Sequence, residues 1–261
     1  MHHEGLGEIP NSGIILVQPK YPENIGASAR IAYNFGIAKL FVVTTETFDE
    51  ERMLKMATHK AAHLVRSMQN CSTTAEAAAS FQFIVGTTAR LGKQRLQEQS
   101  PREVMTELAP HVATSSIALM FGPESLGLSN EDLDLCQFAS TIPTARFASI
   151  NLAQAVAIHC YELYTALHTA PFASIPKSEY ANSFELEGMY EHIDELLTSI
   201  TFVQQNNRNY WMRSVRQFLG RVQLKKREAS MIRGVCRKLL WYGGQQPTKQ
   251  QENSDYSDLQ S

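Results

Sequence analysis

The chain is predicted to be an α/β protein, with a parallel sheet flanked by helices and a small helical extension at its C-terminal side. Three observations carry this expectation. Residues 117–121 (IALMF) form an unbroken apolar run that ends in Gly122-Pro123, the pattern of a strand covered on both faces. Residues 13–17 and 40–43 are apolar runs separated by a helical segment, a β-α-β unit that implies parallel pairing. Beyond Phe184 the apolar period changes to that of helices and stays there.

In chain order, residues 13–17 are the first strand, stopped by Gln18-Pro19. Pro22-Glu23-Asn24-Ile25-Gly26-Ala27-Ser28-Ala29-Arg30 opens a helix that runs to Phe35-Gly36, and its small residues admit another backbone or a ligand at close range. Residues 49–68 are helical in composition. They include His59 and His63, four apart as paired zinc ligands would be. No glutamate base or third ligand accompanies them, so they read as surface histidines and no metal is expected. Residues 81–85 are a strand leading into Gly86-Thr87-Thr88-Ala89-Arg90, a loop of small, hydrogen-bonding residues. Arg90, Lys93 and Arg95 make that region basic, and a helix follows over 101–109.

Residues 117–158 organise the whole. Gly122 and Gly127 bracket a turn where bare backbone can lie against a ligand. Ser129-Asn130-Glu131-Asp132 is a helix start with capping side chains and acids in the first turn. Residues 139–142 are a short strand stopped by Pro143. The loop from Thr144 to Ala148 then delivers Ser149 and Asn151 to a helix N-terminus, where free N–H groups gather. Such loops at strand exits form a cofactor cradle.

With 261 residues, 43% of them hydrophobic, the chain can bury one large domain and carry an appendage. Between Gln205 and Gly244 ten basic residues face Glu228 alone. That net of +9 leaves −11 for the rest of a chain whose net charge is −2. A basic arm on an acidic body suits a phosphate backbone, although a solvated helix face would have the same composition. The four cysteines are scattered without CxxC pairing and read as buried, reduced thiols. The first ten residues lack a signal-peptide pattern and no apolar run reaches membrane-spanning length, so a cytoplasmic protein with no membrane partner is expected.

Other chemistries fit less well. Gly122-Pro123-Glu124-Ser125-Leu126-Gly127 misses GxSxG by one residue and lacks convincing Asp and His partners. No GxGxxG follows the first strand, and no P-loop Gly-Lys-Ser/Thr occurs.

Three motifs, residues 24–30 (NIGASAR), 121–128 (FGPESLGL) and 149–155 (SINLAQA), resemble in order and spacing the signatures of the SPOUT RNA 2′-O-methyltransferases. The likeness is to the TrmH-like branch, and among its members to the TrmJ type that methylates ribose in the tRNA anticodon loop, at a position-32 type nucleotide. It spans roughly residues 11–168. The resemblance implies a parallel-sheet domain with a C-terminal deep trefoil knot, S-adenosylmethionine as cofactor, tRNA as substrate and a homodimer. It assigns cofactor binding to Thr87, Thr88, Ala89, Gly122, Ile142, Ala148, Ser149 and Ile150. It assigns catalysis to Arg30 with Asn24, Ser149 and Asn151, Arg30 reaching the partner subunit's cofactor. Guanidinium stays protonated, so Arg30 is expected to hold a phosphate and stabilise a developing alkoxide rather than act as base. Asn24, Ser149 and Asn151 have plain readings as helix caps, and Glu124 reads equally as a tie to a loop N–H or as a cofactor contact. Two departures mark this chain: Thr144-Ala145-Arg146-Phe147-Ala148 stands where TrmJ-type members carry Asn-Pro-Glu-Tyr, and Leu126 replaces a frequent arginine. The alternatives are a 2′-O-methyltransferase for ribosomal or other RNA, and a non-catalytic RNA-binding scaffold.

The expected organisation is a methyltransferase domain over 1–168, a linker over 169–183, a basic helical extension over 184–244 and a disordered tail over 245–261. Within the extension Arg221, Lys225 and Arg227, together with Arg90 and Arg30 of the body, are the expected RNA contacts. The extension's aromatics, Trp211, Phe218, Trp241 and Tyr242, are expected to form the core of its bundle.

Overall fold

The computed structural model describes residues 9–88, 98–145, 149–169, 179–204 and 207–243. Ala89, Arg90, Lys93, Arg95, Phe147, Ala148, most of the expected linker and the tail fall outside these residues.

Seven strands form one sheet: β1 (Ile9–Val17), β2 (Ile37–Val43), β3 (Gln69–Cys71), β4 (Phe83–Thr87), β5 (Glu98–Gln99), β6 (Ile117–Phe121) and β7 (Phe138–Ser140). Every pairing is parallel and the order is β3-β2-β1-β6-β4-β7-β5. Parallel strands need crossovers, and these are α1 (Pro22–Asn34), α2 (Glu50–Arg66), α3 (Thr74–Ala78), α4 (Pro101–Leu108) and α5 (Asn130–Asp134), with α6 (Leu152–Thr169) after β7.

The period of two along each strand splits the core into two layers. Ile14 and Leu16 of β1 and Ile117, Leu119 and Phe121 of β6 face one layer, shared with α1, α2, α4 and α6. Ile15, Val17, Ala118 and Met120 face the other, closed by Cys71, Ala77, Ala78, Leu133 and Cys136. Burying both faces explains why the strands read as continuous apolar runs. On the first layer, α1 lies close on α2: a Cβ at Gly26 would stand 2.0 Å from the Met53 carbonyl oxygen. The helix starts follow their sequence signals. Ser100 and Ser129 each make a reciprocal capping box, with Glu103 and Asp132.

The C-terminal side adds α7 (Ser183–Ser199), α8 (Arg208–Val222) and α9 (Lys226–Gly243) around a small core of Leu186, Met189, Tyr190, Leu224 and Ala229. This bundle is tied to the sheet. The Ser183 N–H and hydroxyl both donate to the Phe81 carbonyl, at 2.9 and 3.1 Å, and Gln82 Nε2 donates to the Tyr180 carbonyl at 2.6 Å. Arg213 of α8 pairs with Asp134 of α5, and Arg216 grips Glu187 while lying over the Tyr190 ring at 4.5 Å.

Three expectations are corrected. The fourth strand begins at Phe83, two residues late, because Phe81 is spent on an edge-to-face contact with Phe41. The strand after Cys136 ends at Ser140 and not at residue 142. The aromatics of the extension are not its core: Phe218, Trp241 and Tyr242 are 61%, 53% and 60% exposed. Along α9 the buried positions are Ala229 and Cys236, and Trp241 and Tyr242 fall at other angles round the helix.

Candidate cofactor cleft and its surroundings

Because all strands run the same way, the loops after β4, β6 and β7 leave the sheet at one edge, where open α/β sheets bind ligands. There they enclose a cleft of about 530 Å³, within the range of small-molecule sites. Its wall brings together Thr87, Thr88, Gly122, Ile142, Ser149 and Ile150, that is, every expected cofactor residue within the described part of the chain.

Backbone shapes the cleft. A Cβ on Gly122 would stand 2.2 Å from both Gly127 C and Leu128 N, so the loop can fold back on the β6 exit only with glycine there. Gly127 holds φ at +67°, a value that β-carbons resist. Thr87 donates its hydroxyl to the Met120 carbonyl at 3.1 Å, and the Thr88 N–H donates to the Ser140 carbonyl at 3.0 Å, which fixes the β4 exit against both neighbours.

A polar chain couples the three sequence motifs. Glu124 accepts from the Lys20 N–H at 2.9 Å and from Asn24 Nδ2 at 2.6 Å. Asn24 Oδ1 in turn accepts from Asn151 Nδ2 at 3.1 Å. Asn151 Oδ1 accepts from the N–H groups of Ala153 and Gln154 and so caps α6. Glu124 thus ties a loop N–H while also lining the cleft, and Asn151 caps α6. Asn24 is no cap, since Tyr21 precedes α1, and it serves instead as the link between the other two.

Arg30 stands apart. It is exposed on α1, it is not part of this chain's cleft wall, and no carboxylate among the described residues pairs with it. Ser149 is exposed at the cleft rim. His59 and His63 lie on the exposed side of α2, with His63 edge-on to Tyr33.

Sequence reasoning missed two residues of the cleft. His159 lies beneath it, fully buried in α6. Its Nδ1–H donates to the Ala155 carbonyl at 2.8 Å, which leaves Nε2 to accept from the Ser140 hydroxyl at 3.0 Å. Burial pushes its pKa down to about 4, so the ring is neutral. A lone histidine in the apolar run of α6 was the available signal, because a buried imidazole needs partners. Thr141, beside the expected Ile142, lines the cleft with a buried hydroxyl that has no partner among the described residues. Nothing in the sequence distinguishes it from other loop threonines.

Of the RNA-contact candidates, Lys225 pairs with Glu179 at 3.3 Å. Arg208, Arg213, Arg216 and Lys226 likewise hold carboxylates. Arg221 donates to the Gln217 carbonyl, and Arg221, Arg227, Arg233, Arg237 and Lys238 have no carboxylate partner among the described residues.

The body is thus a parallel α/β sheet with a glycine-shaped cleft at its strand exits, and it carries a basic helical appendage. Comparison with known proteins gives the family. Residues 11–161 match the SpoU rRNA Methylase family and residues 184–253 match the TrmJ C-terminal domain, and the chain belongs to the SpoU methylase family. It is 31% identical to the tRNA (cytidine/uridine/adenosine-2′-O-)-methyltransferase TrmJ of Pseudomonas aeruginosa, over 85% of this chain and 91% of that one. It is 27% identical to the tRNA (cytidine/uridine-2′-O-)-methyltransferase TrmJ of Salmonella typhimurium, over 87% and 95%. The crystal structure of TrmJ from Zymomonas mobilis superposes with a TM-score of 0.75 at 27% identity, covering 88% of this chain and 99% of that one. A probable methylase family protein from Haemophilus influenzae superposes at 0.58 with 26% identity, covering 90% and 97%.

Proposed function

We propose that the protein is an S-adenosylmethionine-dependent tRNA ribose 2′-O-methyltransferase acting in the anticodon loop, at a position-32 type nucleotide. The observation that carries this reading is the joining of the three motifs into one site: Glu124, Asn24 and Asn151 form a hydrogen-bonded chain beside a backbone-walled cleft. The relatives' names and the match to the TrmJ C-terminal domain support the substrate class.

The residues present fit the cofactor. The Thr141 hydroxyl, without a partner among the described residues, offers a hydrogen bond, Gly122 leaves backbone bare, and Ile142 and Ile150 give apolar cover for a flat ring. A sulfonium methyl is what the bound cofactor would supply. Thr87, Thr88, Ala89, Gly122, Ile142, Ala148, Ser149 and Ile150 are assigned to hold it, and neutral His159 supports the floor without adding a second positive charge.

This chain's other residues then position the acceptor. Transfer to a ribose hydroxyl requires that oxygen in line behind the methyl, and a path for its proton. Arg30 is exposed and outside the lining of its own cleft, which suits a homodimer in which it serves the partner subunit's site. There it holds a backbone phosphate and stabilises the developing alkoxide. Asn24, Ser149 and Asn151 shape that surrounding. A body over 1–168 threaded as a trefoil knot, a linker over 169–183 and an RNA-recruiting extension over 184–244 complete the reading, for a protein of the cytoplasm. No helix among the described residues is long and apolar enough to cross a membrane.

The test is methyl incorporation from labelled cofactor into unmodified tRNA transcripts, with the product nucleoside identified. A 2′-O-methylated anticodon-loop nucleoside, lost in Arg30→Ala, is expected. Incorporation only into ribosomal RNA, or none despite an intact fold, would overturn the reading.

A further inference from the structure

Accepting tRNA as substrate, we infer that the outer face of α9 is a base-stacking platform, in which Trp241 and Tyr242 hold unpaired bases while Arg227 and Lys238 hold the backbone beside them. The inference deepens the proposed function and rests on it.

The basic residues of the extension sort into two groups. Arg208, Arg213, Arg216, Lys225 and Lys226 are neutralised by Asp194, Asp134, Glu187, Glu179 and Glu185, so they fasten the bundle together and to the body. Arg221, Arg227, Arg233, Arg237 and Lys238 have no carboxylate partner among the described residues, and four of these five are on α9. At 100° per residue, Arg227, Met231, Lys238 and Tyr242 fall in one narrow stripe along α9, opposite buried Ala229 and Cys236. Trp241 flanks that stripe.

Exposure and geometry argue for bases over a protein partner. Lys238 Nζ sits 4.0 Å from the Trp241 ring centroid, a cation–π contact that fixes the indole on one face. The ring nevertheless remains 53% exposed and Tyr242 60% exposed. A flat ring held by a cation from one side, with its remaining surface in solvent, is built to receive another flat ring. Protein–protein interface cores are depleted in lysine, whereas single-stranded nucleic acid is held by aromatics interleaved with cations. The segment's net of +9 against −11 for the rest of the chain gives a polyanion the complementary charge. The substrate class is therefore a tRNA loop with splayed bases, more than a continuous duplex, whose bases are already stacked.

The experiment measures affinity of the full-length protein for an unmodified tRNA transcript at several salt concentrations, by fluorescence anisotropy. The proteins are the wild type, W241A/Y242A, W241F/Y242F and R227A/K238A, with melting curves to confirm folding. Loss of stacking on two bases should weaken binding of W241A/Y242A at least about 30-fold with an unchanged salt slope. W241F/Y242F should recover most of it, and R227A/K238A should lower the slope by about 1.5. Unchanged affinity in W241A/Y242A would overturn the platform, as would a shift from dimer to monomer in that variant on light scattering. Methyl transfer by wild type is measured on the same transcript. Its absence defeats the proposed function itself, whereas active wild type with fully active W241A/Y242A defeats only the platform.

Discussion

A methyl group added at Gly122 in the sheet body would lie 2.2 Å from the Gly127 carbonyl carbon and the Leu128 nitrogen, whereas one added at Gly220 or Gly234 in the C-terminal helices would meet nothing within 4 Å. The same residue type is thus a fixed part of the wall in one region and a gap in a solvated surface in the other. The contrast extends to polar groups. The body works with backbone N–H groups and short hydrogen-bonded links such as Glu124–Asn24–Asn151. The extension works with long charged side chains, and α8 buries no residue fully. A cleft whose walls are backbone tolerates no change of shape. A surface of side chains can be altered one contact at a time, each worth little.

The largest effect on that contrast should come from Gly122→Ala. The added Cβ must displace backbone rather than a side chain, so calorimetric affinity for S-adenosylmethionine should fall at least about 100-fold, more than the roughly 10-fold loss of one ordinary hydrogen bond. Retained affinity would show that the loop can yield and that backbone shape does not govern the cleft.

Next in size is the response of the body to acid. His159 titrates at about 4 in the fold against 6.5 when free. Between those values the unfolded chain binds a proton that the folded chain does not, so stability rises with pH there. The contribution is complete above 6.5 and is lost as pH falls towards 4, by up to roughly 3 kcal/mol. Thermal melts of wild type should lose stability over that window, and His159→Gln should flatten the loss. Parallel curves for the two would remove His159 from this account.

The junction between the regions should respond more weakly. Burial first, with Arg213 opposing it, raises the Asp134 pKa above its usual range. Arg213→Ala leaves that half-buried carboxylate unpaired, at a cost of about 1 kcal/mol near neutral pH. Because the folded pKa is raised, the penalty should shrink as pH falls and Asp134 takes up a proton. A cost that is equal at pH 7 and pH 4 would mean that Arg213 acts by packing alone.

The smallest change expected is a gain. Gly234→Ala in the interior of α9 adds a methyl group to open space and removes backbone freedom from the unfolded chain. It should raise stability by about 0.5–1 kcal/mol, read as a higher denaturation midpoint.

How much of this was legible in the sequence differs by region for physical reasons. In the body, strands buried on both faces must be unbroken apolar runs, and a turn that folds back on a strand exit must use glycine, so β1, β6 and the Gly122–Gly127 loop could be read directly. The pieces that were missed are short: β3 (QNC) and β5 are polar, and α3 is a five-residue helix whose Ala77 and Ala78 are too small to mark an apolar period. At β4 the apolar run overshot the strand because Phe81 packs in the core just before the ladder begins. In the site, motif spacing pointed to Asn24, Gly122 and Asn151, but which acid they would meet depended on bringing Glu124 across 100 positions. His159 was hidden by an apolar helix and Thr141 by the commonness of loop threonines. In the extension, helical period located α7, α8 and α9. It could not tell which arginines would be neutralised or that the aromatics would face outward, since both depend on how three short helices pack.

The most direct test of the central claim, that backbone in the body binds the cofactor while side chains of the extension bind the substrate, is a paired titration. Wild type, Gly122→Ala and W241A/Y242A are each titrated with S-adenosylmethionine and, separately, with unmodified tRNA. The account expects Gly122→Ala to lose the cofactor and keep tRNA, and W241A/Y242A to keep the cofactor and lose tRNA. If Gly122→Ala binds S-adenosylmethionine as wild type does, or if either variant loses both ligands while remaining folded, the division of labour between the two regions is contradicted.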